Sequence, residues 1–243
     1  MRGVDRWPEL EPTQIGRFGD AATAAVAFLR STAGHYEVGS DDHYARRALD
    51  QALLALVEGN YGIGAVAVVA DDVEVREHHA RNAMLTGLGV VDHAETRAIL
   101  AARGGGVAPH AYPRDTNAAT RRLPVGVSVY GTLEPCPMCA CALTNGGVVR
   151  SVSTAMDGEL VDVDGMATSG GGSSVLGAKW LLQPYNWRWL QEATGVRFEL
   201  LDARDPELVA LSWRVFAETG REVDQRLARR RLEDRRTGRA NDD

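Results

Sequence analysis

Residues 125–153 read VGVSVYGTLEPCPMCACALTNGGVVRSVS, and this run decides the fold. Val125 to Leu133 is strand-like: β-branched and aromatic residues recur without a helical period. Pro137 stands where a helix begins, since its missing amide costs nothing at the first helical position. That helix reaches Gly146-Gly147, a glycine stop, and Val148 to Ser153 is a further strand.

Upstream, Ile63 to Ala70 (IGAVAVVA) is a short apolar run between Gly62 and Asp71-Asp72, which suits a buried strand. The acidic pair is expected to turn the chain into a second strand near 73–79. A helix follows from Asp92 through Ala98, Ile99 and Leu100 to Gly104-Gly105-Gly106. Residues 104–124, with three prolines, read as a long loop. Nearer the start, Asp20 is expected to cap a helix through Ala24, Phe28 and Leu29 to Ser31. Gly34 to Asp42 is a connector, and a helix spans 43–58, where Leu49, Leu53 and Leu56 recur at helical spacing. Downstream, 157–174 is rich in Gly, Asp and Ser. Val175 to Leu182 and Trp187 to Ala193 are short helical candidates, Val196 to Leu201 a strand, and Asp205-Pro206 opens a last long helix. This alternation predicts an α/β fold, a three-layer α/β/α sandwich. The expected division is an N-terminal extension with one helix (1–40), a main domain (41–220) and a basic C-terminal tail (221–243).

Composition narrows the function classes. A chain of 243 residues with 44% hydrophobic and 25% charged residues is an ordinary globular protein. The longest apolar run is too short for a bilayer, and nothing after Met1 suggests export, so a cytoplasmic protein without a membrane partner is expected. A net charge of −6 argues against binding nucleic acid by non-specific phosphate attraction. The three cysteines, Cys136, Cys139 and Cys141, cannot form a disulfide framework; their clustering favours metal or redox chemistry in a reducing compartment.

Two segments carry the chemistry: Asp92-His93-Ala94-Glu95 and Pro135-Cys136-Pro137-Met138-Cys139. Taken alone, Asp92-x-x-Glu95 is a capping box, and Cys-x-x-Cys is a redox pair or half of a structural zinc site. Together they suggest more. Cys136 and Cys139, three apart at a helix start, can chelate one metal, and the positive helix end favours thiolates. His93 adds an imidazole from the other helix. Two Cys and one His suit Zn²⁺ and leave its fourth position open to water, whose pKa zinc lowers to about 7. Glu95 would flank that water without ligating the metal, the place of a proton shuttle. Cys141, about 200° of helix turn beyond Cys139, is expected to be a small buried hydrophobe rather than a ligand.

This pairing resembles the cytidine deaminase superfamily signature, H-x-E…P-C-x-x-C. Thr132 to Ala140 most resembles the branch containing tRNA adenosine, guanine and cytosine deaminases, as do Ile63-Gly64-Ala65-Val66 and Asn82. The resemblance is specific over 61–146. It implies a five-stranded mixed sheet, zinc on His93, Cys136 and Cys139, and Glu95 as the acid/base. It also implies that Asn82, the amide of Ala94 and the carbonyl of Pro135 orient the substrate; relatives are commonly dimers or tetramers, and a homodimer is the expectation here.

The substrate is less legible. Ile63 stands where tRNA-acting relatives usually have Pro, and Cys141 where they usually have Gly. The tail from Arg221 to Arg239 carries an excess of four positive charges, which reads as RNA contact or as a solvated helix end. Trp180, Tyr185, Trp187 and Trp189 form an aromatic cluster; Trp187 is the candidate to stack on a base, against core packing or a dimer interface. The acidity and the inserts favour a small nucleobase, nucleoside or related aminated heterocycle as substrate, with water as co-substrate. An RNA-editing adenosine deaminase, a silent zinc-bound interaction module and a thiol redox protein are the alternatives.

Overall fold

The computed structural model describes residues 15–70, 74–87, 89, 91–104, 126–155 and 188–237. In chain order these form α1 (Asp20–Ser31), α2 (Asp41–Val57), β1 (Gly64–Ala70), β2 (Val75–Arg81), α3 (Ala94–Ala102) and β3 (Val127–Leu133), followed by α4 (Pro137–Gly146), β4 (Arg150–Ala155), α5 (Arg188–Thr194), β5 (Arg197–Leu200) and α6 (Pro206–Thr237). The strands make one mixed sheet in the order β2-β1-β3-β4-β5. β1 is antiparallel to both β2 and β3, whereas β3, β4 and β5 run parallel. The expected five-stranded mixed sheet between helices is what the chain forms. The expected loop over 104–124, the helix over 175–182, the hairpin turn at Asp71-Asp72 and Trp187 lie outside the described residues, Gly104 excepted.

Strand alternation sorts the two faces. Ala65, Ala67 and Val69 of β1 and Val127 and Val129 of β3 pack against Ala94, Ala98 and Ile99 of α3 and Ala140 and Leu143 of α4. Val66, Val68, Tyr130 and Val152 point the other way, onto Tyr44 and Ala48 of α2. Outside that layer, α1 closes on α2 and α6 through Ala21, Ala25, Phe28 and Leu29 against Leu49, Leu53, Leu208, Leu211 and Val215.

Two helix starts differ from the sequence expectation. Asp20 does not cap α1: the N-cap is Gly19 at φ 98°, and no side chain of the N-cap bonds the first turn. The Ala21 amide instead donates to Glu218 Oε2 at 2.8 Å, from 197 residues away, a partner no local pattern reveals. α2 begins two residues early, at Asp41, because Ser40 accepts a hydrogen bond from the His43 amide at 3.2 Å and Asp41 and Asp42 fill the electropositive first turn.

The same α2 terminus is tied to the sheet. Arg150 on β4 donates to both Asp41 oxygens at 2.8 Å and to Glu199 Oε2 on β5 at 2.7 Å, while the Tyr130 hydroxyl donates to Asp41 at 2.7 Å. The Arg150 hydrogen bonds hold Asp41 below its usual carboxylate range, against the opposing effect of burial. Since the folded-state pKa is depressed, the stabilisation is complete above the unfolded value of about 3.9 and is lost as pH falls through the folded value. The gap in Tm between the native chain and Arg150→Ala should therefore be widest near neutrality and narrow below about pH 4; thermal melts at a series of pH values read this directly.

Gly64 sits where α2 crosses β1. A Cβ there would lie 2.0 Å from the Ala48 carbonyl oxygen and 2.6 Å from the Ala52 nitrogen, both helix backbone that cannot step aside. Gly64→Ala is expected to cost at least about 1–3 kcal/mol, seen in calorimetry as a Tm lower by several degrees.

Candidate metal centre and active site

Two helices begin side by side on one face of the sheet. Each is preceded by an extended residue acting as N-cap: His93 for α3 (φ −76°, ψ 156°) and Cys136 for α4 (φ −62°, ψ 164°), with Pro137 at the first position of α4. Neither makes a side-chain cap bond, so imidazole and thiol both remain for other work. Gly147 closes α4 in the left-handed region at φ 79°.

The approach to Cys136 is held from both sides. The Gly64 amide donates to Thr132 Oγ1 at 3.2 Å, joining the start of β1 to the end of β3. The Glu134 amide donates to Ala155 O at 3.0 Å, fastening the next turn to β4. The approach to His93 is pinned too. Asn60 donates to Thr86 Oγ1 at 2.9 Å and accepts from the Leu85 amide at 2.8 Å, while the Ala83 amide donates to Asp92 O at 2.9 Å. Asp92 pairs with Arg97 at 3.3 Å, both buried. The capping box suggested by Asp92 and Glu95 is thus not formed: the helix starts one residue later and both carboxylates have other partners.

His93, Cys136 and Cys139 each present one donor atom, and the three atoms lie within 4.8 Å of one another. Cys136 Sγ is 3.6 Å from His93 Nδ1. Tetrahedral zinc with ordinary Zn–S and Zn–N bonds requires about 3.6 Å between a sulfur and a nitrogen ligand. The donor set and its spacing fit zinc. Glu95 stands beside the three: the Cys139 thiol donates to its Oε2 at 3.4 Å.

The three donors and Glu95 shift one another's proton affinity. The Cys136 thiol is pulled down to about 4, first by the hydrogen bond from Cys139 and then, against burial, by the bond to His93. Cys139 is pushed up by its bond to Cys136, by burial and by the Glu95 charge. Burial opposes the charged form of His93, but the bond to Cys136 and the Glu95 and Asp92 charges outweigh it and raise its pKa. Burial raises Glu95, reinforced by the Cys136 charge; a carboxyl that holds its proton more readily than usual is suited to proton transfer.

Cys141 is exposed, contrary to the burial expected for it. Cys139 points into the core, so a residue about 200° further round α4 must face outward. It contributes no donor to the cluster.

A cavity of about 100 Å³ opens over the cluster, lined by Tyr61, Ile63, Asn82, Met84, His93, Glu95, Leu133, Glu134, Cys136 and Phe216. Asn82 is buried in this wall; its Oδ1 accepts from the Met84 amide at 3.1 Å, which leaves its NH₂ end for another partner. Ala94 and Pro135 are buried next to lining residues, Ala94 packing against the sheet. The sequence reading missed Tyr61, Met84, Leu133 and Phe216 as site residues. Phe216 shares a helical stripe with Val209 and Trp213, a spacing that signals burial and not which surface it meets.

A five-stranded mixed sheet carrying a His-Cys-Cys cluster at two helix N-termini, with a carboxylate alongside, is the arrangement of a metal-binding α/β protein. Residues 39–156 match the model of the cytidine and deoxycytidylate deaminase zinc-binding region. The tRNA-specific adenosine deaminase of Bacillus subtilis (strain 168) is 33% identical over 117 residues, which is 48% of this chain and 63% of that protein. The chain thus spans less than two thirds of that relative's length. Among solved structures, one from work on A-to-I editing by tRNA:A34 deaminases is 31% identical, covering 46% of this chain and 73% of the other at a TM-score of 0.35. The guanine deaminase of Nitrosomonas europaea is 20% identical, covering 76% of this chain and 90% of the other at a TM-score of 0.48.

His93→Ala and Cys136→Ala should each abolish stoichiometric zinc in the purified protein, whereas Cys141→Ser should retain one zinc per chain. Elemental analysis after dialysis distinguishes these outcomes; full occupancy in either ligand variant would overturn the assignment.

Proposed function

We propose that this protein is a zinc-dependent hydrolytic deaminase acting on a C–N bond of a small nucleobase, nucleoside or related aminated heterocycle. The observation that carries the reading is Glu95, a buried carboxyl that is not one of the three metal donors yet lines the same cavity as His93 and Cys136. A silent zinc module has no use for such a group, and a thiol redox pair would leave both His93 and Glu95 without a role.

Zinc on His93, Cys136 and Cys139 supplies a Lewis acid that acidifies water at the site. The chain does the rest. Glu95 accepts one proton from the attacking water as its oxygen bonds to the amine-bearing ring carbon and passes it to the ring nitrogen, then takes the second from the resulting hydroxyl and passes it to the departing amine. The C–N bond breaks, ammonia leaves, and the water oxygen becomes the carbonyl oxygen of the product. The Asn82 NH₂ offers a hydrogen bond to a ring acceptor. In this reading the Ala94 amide and Pro135 carbonyl, beside Glu95 and Cys136 in the chain, orient the leaving-amine edge. Tyr61, Ile63, Leu133 and Phe216 supply apolar surface for a planar ring.

The cavity's size and lining favour a small substrate. Among the described residues the lining contains two carboxylates and no lysine or arginine, so a phosphate entering here would meet like charge. The second reading, a tRNA adenosine deaminase, is favoured by the B. subtilis relative. Residues 41–220 would form the catalytic domain, and a homodimer in the cytoplasm, where thiol ligands stay reduced, accords with this chemistry. Among the described residues no helix is long and apolar enough to cross a membrane.

Glu95→Ala should keep one zinc per chain and lose turnover by about 10²-fold or more; near-native turnover would remove Glu95 from the mechanism. An ammonia-release screen over cytosine, guanine, adenine, their nucleosides, pterin-like rings and tRNA should find turnover on a free base or nucleoside. Turnover on tRNA alone would establish the second reading.

A further inference from the structure

Helix α6 belongs to two packing surfaces at once. Its Leu208, Leu211 and Val215 pack into the cluster formed with α1 and α2. A neighbouring stripe, Val209, Trp213, Phe216 and Ala217, packs against Ile63, Leu133 and Ala155 at the catalytic end of the sheet. Phe216 goes further and lines the cavity, its ring centroid 6.3 Å from that of Tyr61. Contact is close throughout: a Cβ at Gly62, between Tyr61 and Ile63, would lie 2.8 Å from Val215 Cγ1. A small rotation or slide of α6 therefore moves the aromatic wall of the cavity.

One polar joint sets α6 against α1. Glu218, two residues past Phe216, accepts the Ala21 amide hydrogen bond at 2.8 Å. It is the acceptor that α1 lacks from its own N-cap, Gly19, and its charge lies at the positive end of that helix. Its other oxygen is held by Arg214 at 3.1 Å, one helical turn back. A Cβ on Gly19 would fall 3.2 Å from Glu218 Oε2, at a residue already in the left-handed region, so the approach depends on glycine. Helix α1 lies before residue 39, where the family match begins.

We propose that Glu218 is a positioning residue: by capping α1 from α6 it holds Phe216 in place as the wall a bound heterocycle packs against. The extra N-terminal helix is then part of the substrate-binding apparatus. This rests on the deaminase reading insofar as Phe216 meets a substrate; the coupling of Glu218 to Phe216 does not.

The test uses the full zinc-loaded chain and four variants: Glu218→Ala, Glu218→Gln, Phe216→Ala and the double alanine variant. Ammonia release is measured on guanine and on cytosine. Glu218→Ala should raise KM by up to about tenfold, the scale of a lost cap, with kcat within about twofold. Glu218→Gln keeps an oxygen for the Ala21 amide and should restore most of the native KM. Phe216→Ala should raise KM at least as much, and adding Glu218→Ala to it should change little further. A lower Tm with unchanged KM, or additive effects in the double variant, would overturn the proposal. Incorporation of 4-fluorophenylalanine, with Phe216 assigned through Phe216→Leu, gives a ¹⁹F signal that needs no turnover. Glu218→Ala should shift that signal and Glu218→Gln should not; an unmoved signal overturns the proposal. A shifted signal in a protein that releases ammonia from none of the bases, nucleosides, pterin-like rings or tRNA of the screen would uphold the coupling while counting against the deaminase reading. If Glu218→Ala does not fold, Arg214→Ala, which releases only the second oxygen, should shift the signal in the same direction, and no shift overturns the proposal.

Discussion

The side chains at two helix N-termini meet, Cys136 Sγ lying 3.6 Å from His93 Nδ1, and the rest of the site depends on that meeting. Cys136 and His93 are N-caps whose side chains do no capping. The first turns of α3 and α4 bring their positive ends together, which would repel were no anionic group present. The Cys136 thiolate and the Glu95 carboxylate lie in that field, and a divalent ion completes the arrangement when thiolates carry the compensating charge. The sheet makes it possible: β1 and β3 are neighbours, so the chain leaving β3 and the loop pinned beneath β1 arrive at the same edge.

The backbone around the cluster is tied at short intervals. Thr132 bridges β3 to Gly64, Glu134 is fastened to β4, and Asn60 and Asp92 hold the loop before α3. Ligands set by such bonds stand close before any metal arrives, which reduces the ordering that binding must impose. The opposite wall is built differently. It comes from α6 and is carried by apolar packing and the single Glu218–Ala21 joint. A donor cluster held by backbone hydrogen bonds thus faces a wall set by helix packing.

Much of this was legible from short-range pattern. The helix at Pro137, its end at Gly147, the strands around 64–70, 127–133 and 150–155, and the ligand trio follow from periodicity, stop residues and the chemistry of three side chains. What failed did so for long-range reasons. Asp92 and Glu95 satisfy the spacing of a capping box, but Arg97 takes one and the Cys139 thiol the other. Asp20 looks like a cap, yet the acceptor is Glu218. Cys141 was given the average burial of a cysteine, although its angle to Cys139 already placed it outward.

By itself, then, the sequence determined which side chains offer metal donors and on which elements they sit, because ligand type, helix start and strand period are encoded within a few residues. The tertiary structure alone decided that Phe216 and Tyr61 face the same cavity, and that α1 is capped from the far end of the chain. Those contacts join residues with no shared local period, and only the closing of the sheet and its helices into one packed body brings them within reach.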